Sequence, residues 1–278
     1  MQRSKRPGRS QQRGRRRPRD GAPERLFGLH SVREAIRAGR RPLFRLLVRR
    51  GDRREVVAAL MRDAAAAGLD VVEVEADELL PPESDERSGV FPGTGNPQGV
   101  ALEVGPLPEL SLEELCGQRE GPQRFVALDG VEDPQNLGAI SRVADAAGVG
   151  GMILTAHRAP PLSSAVTRAS AGAIEWLPVA RVANLRRALQ DLKDKDFWVV
   201  GADPEAPVSI YQAPDSLLQG DLVVVLGAEG RGLRPGVRAL VDHPLKVPMQ
   251  GSVGSLNVAT AGAVVLFELL RRSLKSDG

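Results

Sequence analysis

The second half of this 278-residue chain consists of short, uninterrupted apolar runs that alternate with helix-like segments, and this alternation constrains the fold most strongly. Runs that are apolar throughout, rather than at every second residue, are typical of parallel strands covered on both faces. The predicted strands are RFVALD, GMILT, FWVVGA, LVVVLG and LKVPM, and the predicted helices span 137–147, 163–171, 183–193 and 257–272. We therefore predict an α/β domain with a parallel sheet over residues 124–278.

A smaller α/β pattern precedes it, over residues 25–104. Two helix-like segments, with capping boxes predicted at Ser31/Glu34 and Asp52/Glu55, alternate with the strand-like runs PLFRLLV, DVVEVE and QGVALEV. Residues 105–123 are rich in Pro, Gly and Glu, which predicts a linker. Residues 1–24 have almost nothing to bury, so we predict a disordered basic tail, with a role in RNA binding or only in solubility.

The net charge of +3 hides a strong asymmetry along the chain. Residues 1–54 hold 19 of the 38 Lys and Arg residues against four acids, whereas the rest carries 19 bases and 31 acids. Such a basic segment favours a polyanion, usually nucleic acid. Because aromatic residues make up only 3%, phosphate contacts should outweigh base stacking and affinity should depend steeply on salt. The candidate RNA contacts are Arg33, Arg37, Arg40, Arg41, Arg45, Arg49, Arg50, Arg53 and Arg54.

Several other classes of protein are disfavoured. A single cysteine, Cys116, excludes an internal disulfide framework, and the three histidines, His30, His157 and His243, lack the spacing of metal ligands. No apolar run approaches the roughly 18 residues of a membrane span, and no secretory apolar stretch follows the N-terminus. We expect a cytoplasmic protein that binds neither metal nor membrane.

Three loops that follow predicted strands are candidates for the functional site, because open parallel sheets bind ligands at the carboxyl ends of their strands. They are DGVEDPQNLGAISR, GAEGRG and MQGSVGSLN. The second loop has the spacing G-x-x-G-x-G, which fits neither the dinucleotide fingerprint nor a phosphate-binding loop. The third carries no charge, which suits a neutral adenine and ribose better than a pyrophosphate. A nicotinamide-dependent oxidoreductase is therefore disfavoured.

In order and spacing, NLGAISRVADAAG, VLGAEGRGL and VPMQGSVGSLNVATA closely resemble the three motifs of the SpoU/TrmH family of RNA ribose 2′-O-methyltransferases. LFGLHSVREAI and NPQGVALEV resemble the accessory RNA-binding domain, similar to a ribosomal-protein fold, of members that methylate a guanosine in large-subunit rRNA. The resemblance covers about residues 25–272. It implies a C-terminal SPOUT domain with a parallel sheet and a deep trefoil knot, S-adenosyl-L-methionine as cofactor, and a homodimer.

The resemblance also implies the site residues. Arg142 corresponds to the family's catalytic arginine, with Asn136 and Glu229 in the same catalytic set. Gly254 and Ala259 stand where relatives often have Ser, which puts only fine contacts in doubt. The implied cofactor contacts are Gly227, Val247 and Leu256, with Leu226, Met249, Ser255 and Asn257 beside them.

Three of these residues have a structural alternative. Arg142 points away from the apolar stripe of its helix, as a solvated arginine would, although small neighbours at Gly138 and Ala146 leave room for a substrate. Asn136 and Asn257 precede helices and could act as N-caps, as ligands, or as both. Because a guanidinium is effectively never deprotonated in proteins, we expect Arg142 to act as a fixed positive charge rather than as a base.

The last predicted helix, 257–272, is apolar nearly all round, which predicts burial in a core or a subunit interface. The resemblance places this helix in the dimer contact.

From the three motifs and the accessory domain together, we predict an S-adenosyl-L-methionine-dependent enzyme that methylates the ribose 2′-hydroxyl of a guanosine in 23S rRNA. The alternatives are the same reaction on tRNA, or an RNA-binding ribosome-assembly factor without catalysis.

Overall fold

The computed structural model arranges the chain around two β-sheets. It describes residues 23–80, 98–118, 121–214, 217, 220–252 and 254–276. The predicted basic tail, 1–24, therefore lies almost entirely outside the described residues. No helix within the described ranges is long and apolar enough to cross a lipid bilayer.

The smaller sheet has four strands in the order β1-β4-β2-β3. β4 runs antiparallel to both of its neighbours, whereas β2 and β3 are parallel. Two helices cover one face of this sheet and bury Leu26, Leu46, Leu60 and Leu102 between them and the strands. The strands are β1 (Glu24–Phe27), β2 (Leu43–Arg49), β3 (Asp70–Val74) and β4 (Val100–Val104), and the helices are α1 (Leu29–Ala38) and α2 (Glu55–Ala66).

The larger sheet has seven parallel strands in the order β7-β6-β5-β10-β8-β11-β9, which confirms the predicted parallel α/β fold. Its strands are β5 (Arg124–Asp129), β6 (Gly151–Thr155), β7 (Val179–Val182), β8 (Trp198–Ala202), β9 (Val208–Ser209), β10 (Leu222–Gly227) and β11 (His243–Lys246). The accompanying helices are α3 (Leu112–Cys116), α4 (Pro134–Ala146), α5 (Ser164–Ala169), α6 (Leu185–Lys193), α7 (Pro235–Arg238) and α8 (Val258–Ser276).

Both faces of the larger sheet are covered, which explains why its strands are apolar throughout. Along β10, Val224 and Leu226 belong to one hydrophobic core, together with residues of α4 and α8. The alternate residues, Val223 and Val225, belong to a second core that includes Leu189 of α6. Each buried apolar residue stabilises the fold at roughly 25 cal/mol per Å² of apolar surface removed from water.

The ends of the first two helices were predicted better than their starts. Neither predicted capping box is present: Ser31 lies buried inside α1, and Asp52 instead accepts a hydrogen bond from Arg54 Nη2 over 2.7 Å. A serine or aspartate three residues before a glutamate caps a helix only if no stronger partner takes its side chain. Gly39 and Gly68, at the other ends, both have positive φ, as expected for glycines that terminate helices.

Residues 105–123, predicted as a linker, connect β4 to β5 and are folded against the larger sheet for much of their length. Leu110 forms a parallel bridge with Ala180 of β7, and α3 begins with a complete capping box at Ser111. Leu115 is buried in one of the two cores of the larger sheet. Leucines between the prolines and glycines of this segment pack it onto the sheet.

The last helix, α8, is not buried on every side. Val265 and Leu269 are buried in the core, whereas Phe267 is 46% exposed and Leu274 is 67% exposed. The predicted burial in a core therefore holds for one side of α8, and burial of the other side in a subunit interface stays a prediction. One apolar stripe of α8 faces away from the sheet.

Candidate active site

Three parallel strands, β5, β10 and β11, end at one edge of the larger sheet with β8 between the last two, and the loops that follow them form the candidate site. The register pairs Gly227, at the end of β10, with Asp129, at the end of β5. β11 ends at the same edge, because it pairs in parallel with β8, which itself pairs in parallel with β10. The carboxyl edge of a parallel sheet is where such folds bind ligands.

The loop after β10 turns back across Gly227. Ala228 and Gly232 form an antiparallel bridge, in which the Gly232 N–H donates to the Ala228 carbonyl over 2.9 Å. A Cβ atom added to Gly227 would lie 2.3 Å from the carbonyl carbon of Gly232, far inside contact distance. Only glycine fits at position 227, because the backbone of its own loop occupies the space of a side chain.

Asp129, which the sequence analysis did not single out, fixes this loop from the neighbouring strand. Its side chain is buried and accepts hydrogen bonds from the Arg234 N–H over 2.8 Å and from Arg234 Nε over 2.5 Å. The Ala228 N–H donates to the Asp129 carbonyl over 3.1 Å. The available signal was a carboxylate that ends an apolar strand, since a buried charge requires a partner.

Asn136, Glu229 and Asn257 come from the three loops and meet in one hydrogen-bonded cluster. Asn136 Nδ2 donates to Glu229 Oε1 over 3.2 Å, and Asn257 Nδ2 donates to Asn136 Oδ1 over 2.9 Å. Asn257 Nδ2 also donates to Glu229 Oε1. The fold thus unites residues that the sequence separates by 93, 121 and 28 positions. Two amides hold one oxygen of an exposed carboxylate, which leaves Oε2 without a hydrogen bond from any described residue.

The two asparagines differ in how they relate to their helices. Asn257 caps α8, because its Oδ1 accepts from the Ala259 N–H over 2.9 Å. Asn136 does not cap α4, since Asp133 is the N-cap residue and Asn136 lies in the first turn. Capping therefore accounts for part of what Asn257 does and for none of what Asn136 does.

Arg142 lies further along α4, exposed to solvent, and forms no hydrogen bond or ion pair with any described residue. The structure does not join it to the cluster. The space predicted beside it at Gly138 is absent, since a Cβ there would lie 2.4 Å from the Ala169 Cβ, where α5 crosses α4. A guanidinium without an internal partner is available to an external anion.

The loop after β11 presents uncharged main chain. No charged residue occurs between Val247 and Val258, and residues 248–252 form no hydrogen bond with another described residue. Exposed main-chain donors and acceptors without charge suit a neutral heterocycle and a ribose. Within the described ranges, no three His, Cys, Asp or Glu side chains are grouped as metal ligands.

The residues predicted to contact the cofactor differ in exposure. Met249 and Ser255 are exposed, whereas Leu256 is partly buried. Val247 packs against the core that contains Val224 and Leu226. Leu226 is buried beneath the edge of the sheet, so a ligand at this edge could reach only its main chain.

Five of the nine arginines predicted as RNA contacts illustrate that these residues do not share one surface: Arg33, Arg37, Arg41, Arg45 and Arg49. Arg41 is completely buried, with carboxylates of Glu175 and Glu24 at 3.6 and 3.9 Å from its guanidinium, so the prediction of an RNA contact is wrong for Arg41. A sequence pattern does not reveal this, because both partners are brought in by tertiary packing.

The other four arginines are divided between a helix and a strand. Arg33 and Arg37 lie on α1, whereas Arg45 and Arg49 lie on β2. All except Arg33 have a carboxylate partner, which reduces the positive charge that they present to a polyanion. The pairs are Arg37–Glu34 at 3.1 Å, Arg45–Glu103 at 2.5 Å and Arg49–Asp52 at 3.6 Å.

Comparison with known proteins agrees with this geometry. Residues 123–267 match the family described as SpoU rRNA Methylase, and residues 25–80 match the family described as RNA 2′-O ribose methyltransferase substrate binding. The chain is 38% identical over 252 residues to the 23S rRNA (guanosine-2′-O-)-methyltransferase RlmB of Pseudomonas aeruginosa, covering 90% of this chain and 96% of that protein. It is 36% identical over 254 residues to the protein of the same name from Vibrio cholerae, covering 90% and 98%. The AdoMet-bound rRNA methyltransferase of Sinorhizobium meliloti is similar in structure, with a TM-score of 0.71 and 26% identity, covering 90% of this chain and 87% of that one.

Proposed function

The chain belongs to the SpoU rRNA methylase family, and on this premise we propose that it transfers a methyl group from S-adenosyl-L-methionine to the ribose 2′-hydroxyl of a guanosine in 23S rRNA. The observation that carries the proposal is the cluster of Asn136, Glu229 and Asn257 at the carboxyl edge of the larger sheet. Relatives named for this reaction match 90% of the chain, so the proposal covers both sheets rather than the larger one alone.

We assign the cofactor to the loops after β10 and β11. The uncharged, unpaired main chain of 248–252 and the tight turn at Gly227 support this assignment. When bound, the cofactor supplies a methyl group on a positively charged sulfur. We also propose that these two loops form the trefoil knot that the family resemblance implies. The proposed contacts are Leu226, Gly227, Val247, Met249, Ser255, Leu256 and Asn257.

In the proposed reaction a carbon–sulfur bond breaks, a carbon–oxygen bond forms, and the ribose hydroxyl loses its proton. We assign Arg142 as a fixed charge that holds an RNA phosphate and stabilises the developing alkoxide, while a phosphate oxygen or water takes the proton. Asn136 and Glu229 orient the reacting groups, since their side chains are already held by each other and by Asn257. Such positioning contributes roughly 7–11 kcal/mol in favourable systems.

We assign RNA recognition to residues 25–104 and methyl transfer to residues 124–278. The match of residues 25–80 to a substrate-binding family, together with the names of the relatives, favours rRNA over tRNA. The assembled cluster of three polar residues favours an enzyme over a non-catalytic assembly factor. This function would place the protein in the cytoplasm, where ribosomal RNA of this kind is processed.

The experiment incubates the full chain with methyl-labelled S-adenosyl-L-methionine and either unmodified 23S rRNA or tRNA, and maps modified riboses by reverse-transcriptase stops at limiting dNTP. We expect one new stop at a guanosine in 23S rRNA and no label in tRNA. Label in tRNA alone would show that the substrate is tRNA rather than 23S rRNA. Absence of label in both RNAs, from a folded protein that binds the cofactor, would contradict the proposed reaction.

We also propose that two chains associate through α8. Ala263, Phe267 and Leu274 form an apolar stripe at helical spacing along one side of α8, and Phe267 and Leu274 are 46% and 67% exposed. Large exposed apolar residues on a helix whose other side is packed in the core favour a partner surface.

A further inference from the structure

The two sheets meet along a seam in which α1 and β1 pack against α5 and the short 3₁₀ turn Ala173–Glu175. Polar contacts cross this seam at several points. Trp176 Nε1 donates to Glu34 Oε2 over 2.9 Å, and the Ser164 N–H donates to Glu24 Oε1 over 2.5 Å. The backbones also approach closely, since a Cβ on Gly172 would lie 2.6 Å from the Cβ of Glu34. We call this contact the interdomain seam.

Arg41 lies at the centre of the interdomain seam with its side chain completely buried. Its guanidinium lies 3.6 Å from Glu175, which is also completely buried, and 3.9 Å from Glu24. None of its three nitrogens forms a hydrogen bond within the described residues. Glu175 Oε1 accepts a hydrogen bond from Thr167 over 2.9 Å, so the carboxylate is anchored to α5.

A buried pair of this kind specifies orientation more than it adds stability. Removing two charges from water is costly, and only a partner at short distance offsets that cost. Burial raises the pKa of Glu175, while the Arg41 guanidinium opposes this effect. A docking of the two sheets that kept these groups buried but apart would leave a buried charge without its partner, so the pair disfavours such arrangements.

The helix that anchors Glu175 also contacts the helix that carries the proposed catalytic residues. α5 crosses α4 at Gly138, where a Cβ would lie 2.4 Å from the Ala169 Cβ. Asn136 and Arg142 lie on α4 on either side of this crossing. Contacts therefore run without interruption from α1 through α5 to α4.

We propose that Arg41 and Glu175 are positioning residues that fix the RNA-recognising domain against α4, so that RNA held by the smaller sheet reaches Arg142 in one register. This inference rests on the proposed function. Neither residue is assigned a contact with RNA or cofactor.

The test uses the full chain with Trp198→Phe, which leaves Trp176 at the seam as the only tryptophan of the two. Arg41→Met removes the buried cation, and Arg41→Met with Glu175→Gln removes both charges while keeping an acceptor for Thr167. Arg62→Met is the matched control, because it removes an arginine of the same domain from an exposed pair with Glu55.

For Arg41→Met we expect Trp176 emission to shift to longer wavelength, and KM for rRNA to rise about tenfold with little change in cofactor affinity. The Arg62→Met control should match the parent in emission and KM, since exposed pairs contribute little. The double variant leaves no unpaired buried charge, so it should fold, but its KM for rRNA should stay above that of the parent because no pair then selects one docking of the two sheets. If Arg41→Met does not fold, the double variant and the control decide the outcome, because a double variant with an unchanged KM overturns the proposal.

The emission measurement needs neither RNA nor cofactor, so it separates this inference from the proposed reaction. A shifted emission in Arg41→Met with an unchanged KM would show that the seam has no role in placing RNA. An unchanged emission would show that the pair does not hold the seam. Loss of methyl transfer in the parent protein would instead count against the proposed function.

Discussion

Asn257 starts α8 and holds Glu229, and it uses different atoms of one side chain for the two interactions. Oδ1 accepts from the Ala259 N–H, while Nδ2 donates to Glu229 and Asn136. Asn257→Asp keeps the capping oxygen, loses the donor and places a second carboxylate beside Glu229. We expect the melting temperature to change little and kcat/KM to fall about 10²-fold, as for loss of a positioned donor.

The comparison variant is Asn257→Ala, which also loses the cap and should lower stability by about 1 kcal/mol. Thermal melting and methyl transfer to 23S rRNA, measured on both variants, separate capping from the role in the site. Full activity of Asn257→Asp would show that the cluster of Asn136, Glu229 and Asn257 has no role in methyl transfer.

Gly227 leaves no room for a side chain in the loop after β10, to which we assign the cofactor. In Gly227→Ala the new Cβ meets the Gly232 carbonyl carbon at 2.3 Å, so the loop that carries Glu229 must move. We expect the affinity for S-adenosyl-L-methionine, measured by calorimetry, to fall by at least about tenfold, or about 1.4 kcal/mol. Gly220→Ala is the control, because no atom lies within 4 Å of its Cβ position. Equal affinities for the two variants would contradict the assignment of this turn to the cofactor.

The site residues that sequence reasoning identified are those carried by short motifs. Asn136, Glu229 and Asn257 were named from motif positions, and the fold brings them together. Asp129 and Arg41 were missed or misassigned, because their roles depend on partners such as Arg234 that only tertiary packing supplies. Charge alone does not distinguish a surface arginine from one buried between carboxylates.

At the scale of elements, Glu268 and Arg272 link the C-terminal part of α8 to the segment that follows β9. The buried Glu268 accepts hydrogen bonds from Arg271 and Arg272, and Arg272 Nη2 donates to the Ile210 carbonyl over 2.9 Å. Hydrogen bonds from Arg271, followed by those from Arg272, lower the pKa of Glu268 from 4.5 to about 2, although burial opposes them.

The lowered pKa predicts a pH dependence of stability. Because the folded state holds this proton less tightly than the unfolded state, the contribution is complete above about pH 4.5 and is lost as the pH falls through about 2. Since Arg271 is half exposed, we expect about 1–2 kcal/mol rather than the full value of the shift. Melting of the parent and Glu268→Gln from pH 7 to pH 2 should show a difference that narrows below pH 4.5. A difference that stays constant over this range would contradict the prediction.

The central elements were predictable because burial on both faces leaves an unbroken apolar run, as in β5 and β10. β7 and β9 were missed, since each is short and lies at an end of the sheet, where pairing rather than sequence defines the strand. α3 was hidden in a segment rich in Pro and Gly, although Ser111 and Glu114 carry a capping-box pattern. Tertiary contact, rather than local propensity, decides such short elements.

For the whole molecule, arginines of the basic N-terminal part, to which we assign RNA recognition, also hold the fold together. Arg41 is buried between the sheets, and Arg45 and Arg25 both donate to the buried Glu103 across the smaller sheet. The net charge of residues 1–54 therefore overstates the positive charge that remains available to RNA. The excess of positive charge favours a polyanionic partner, but tertiary pairing decides which arginines remain free to contact it.

Association through α8 is the proposal that concerns more than one chain. Phe267→Glu places a charge in the exposed apolar stripe, where pairing with a second copy would bury it without a partner. We expect light scattering at micromolar concentration to give the mass of two chains for the parent and of one chain for Phe267→Glu. Phe44→Glu is the matched control, because Phe44 on β2 is 50% exposed against 46% for Phe267. Dissociation by Phe44→Glu alone would move the interface to the smaller sheet, and a monomeric parent would exclude association through α8.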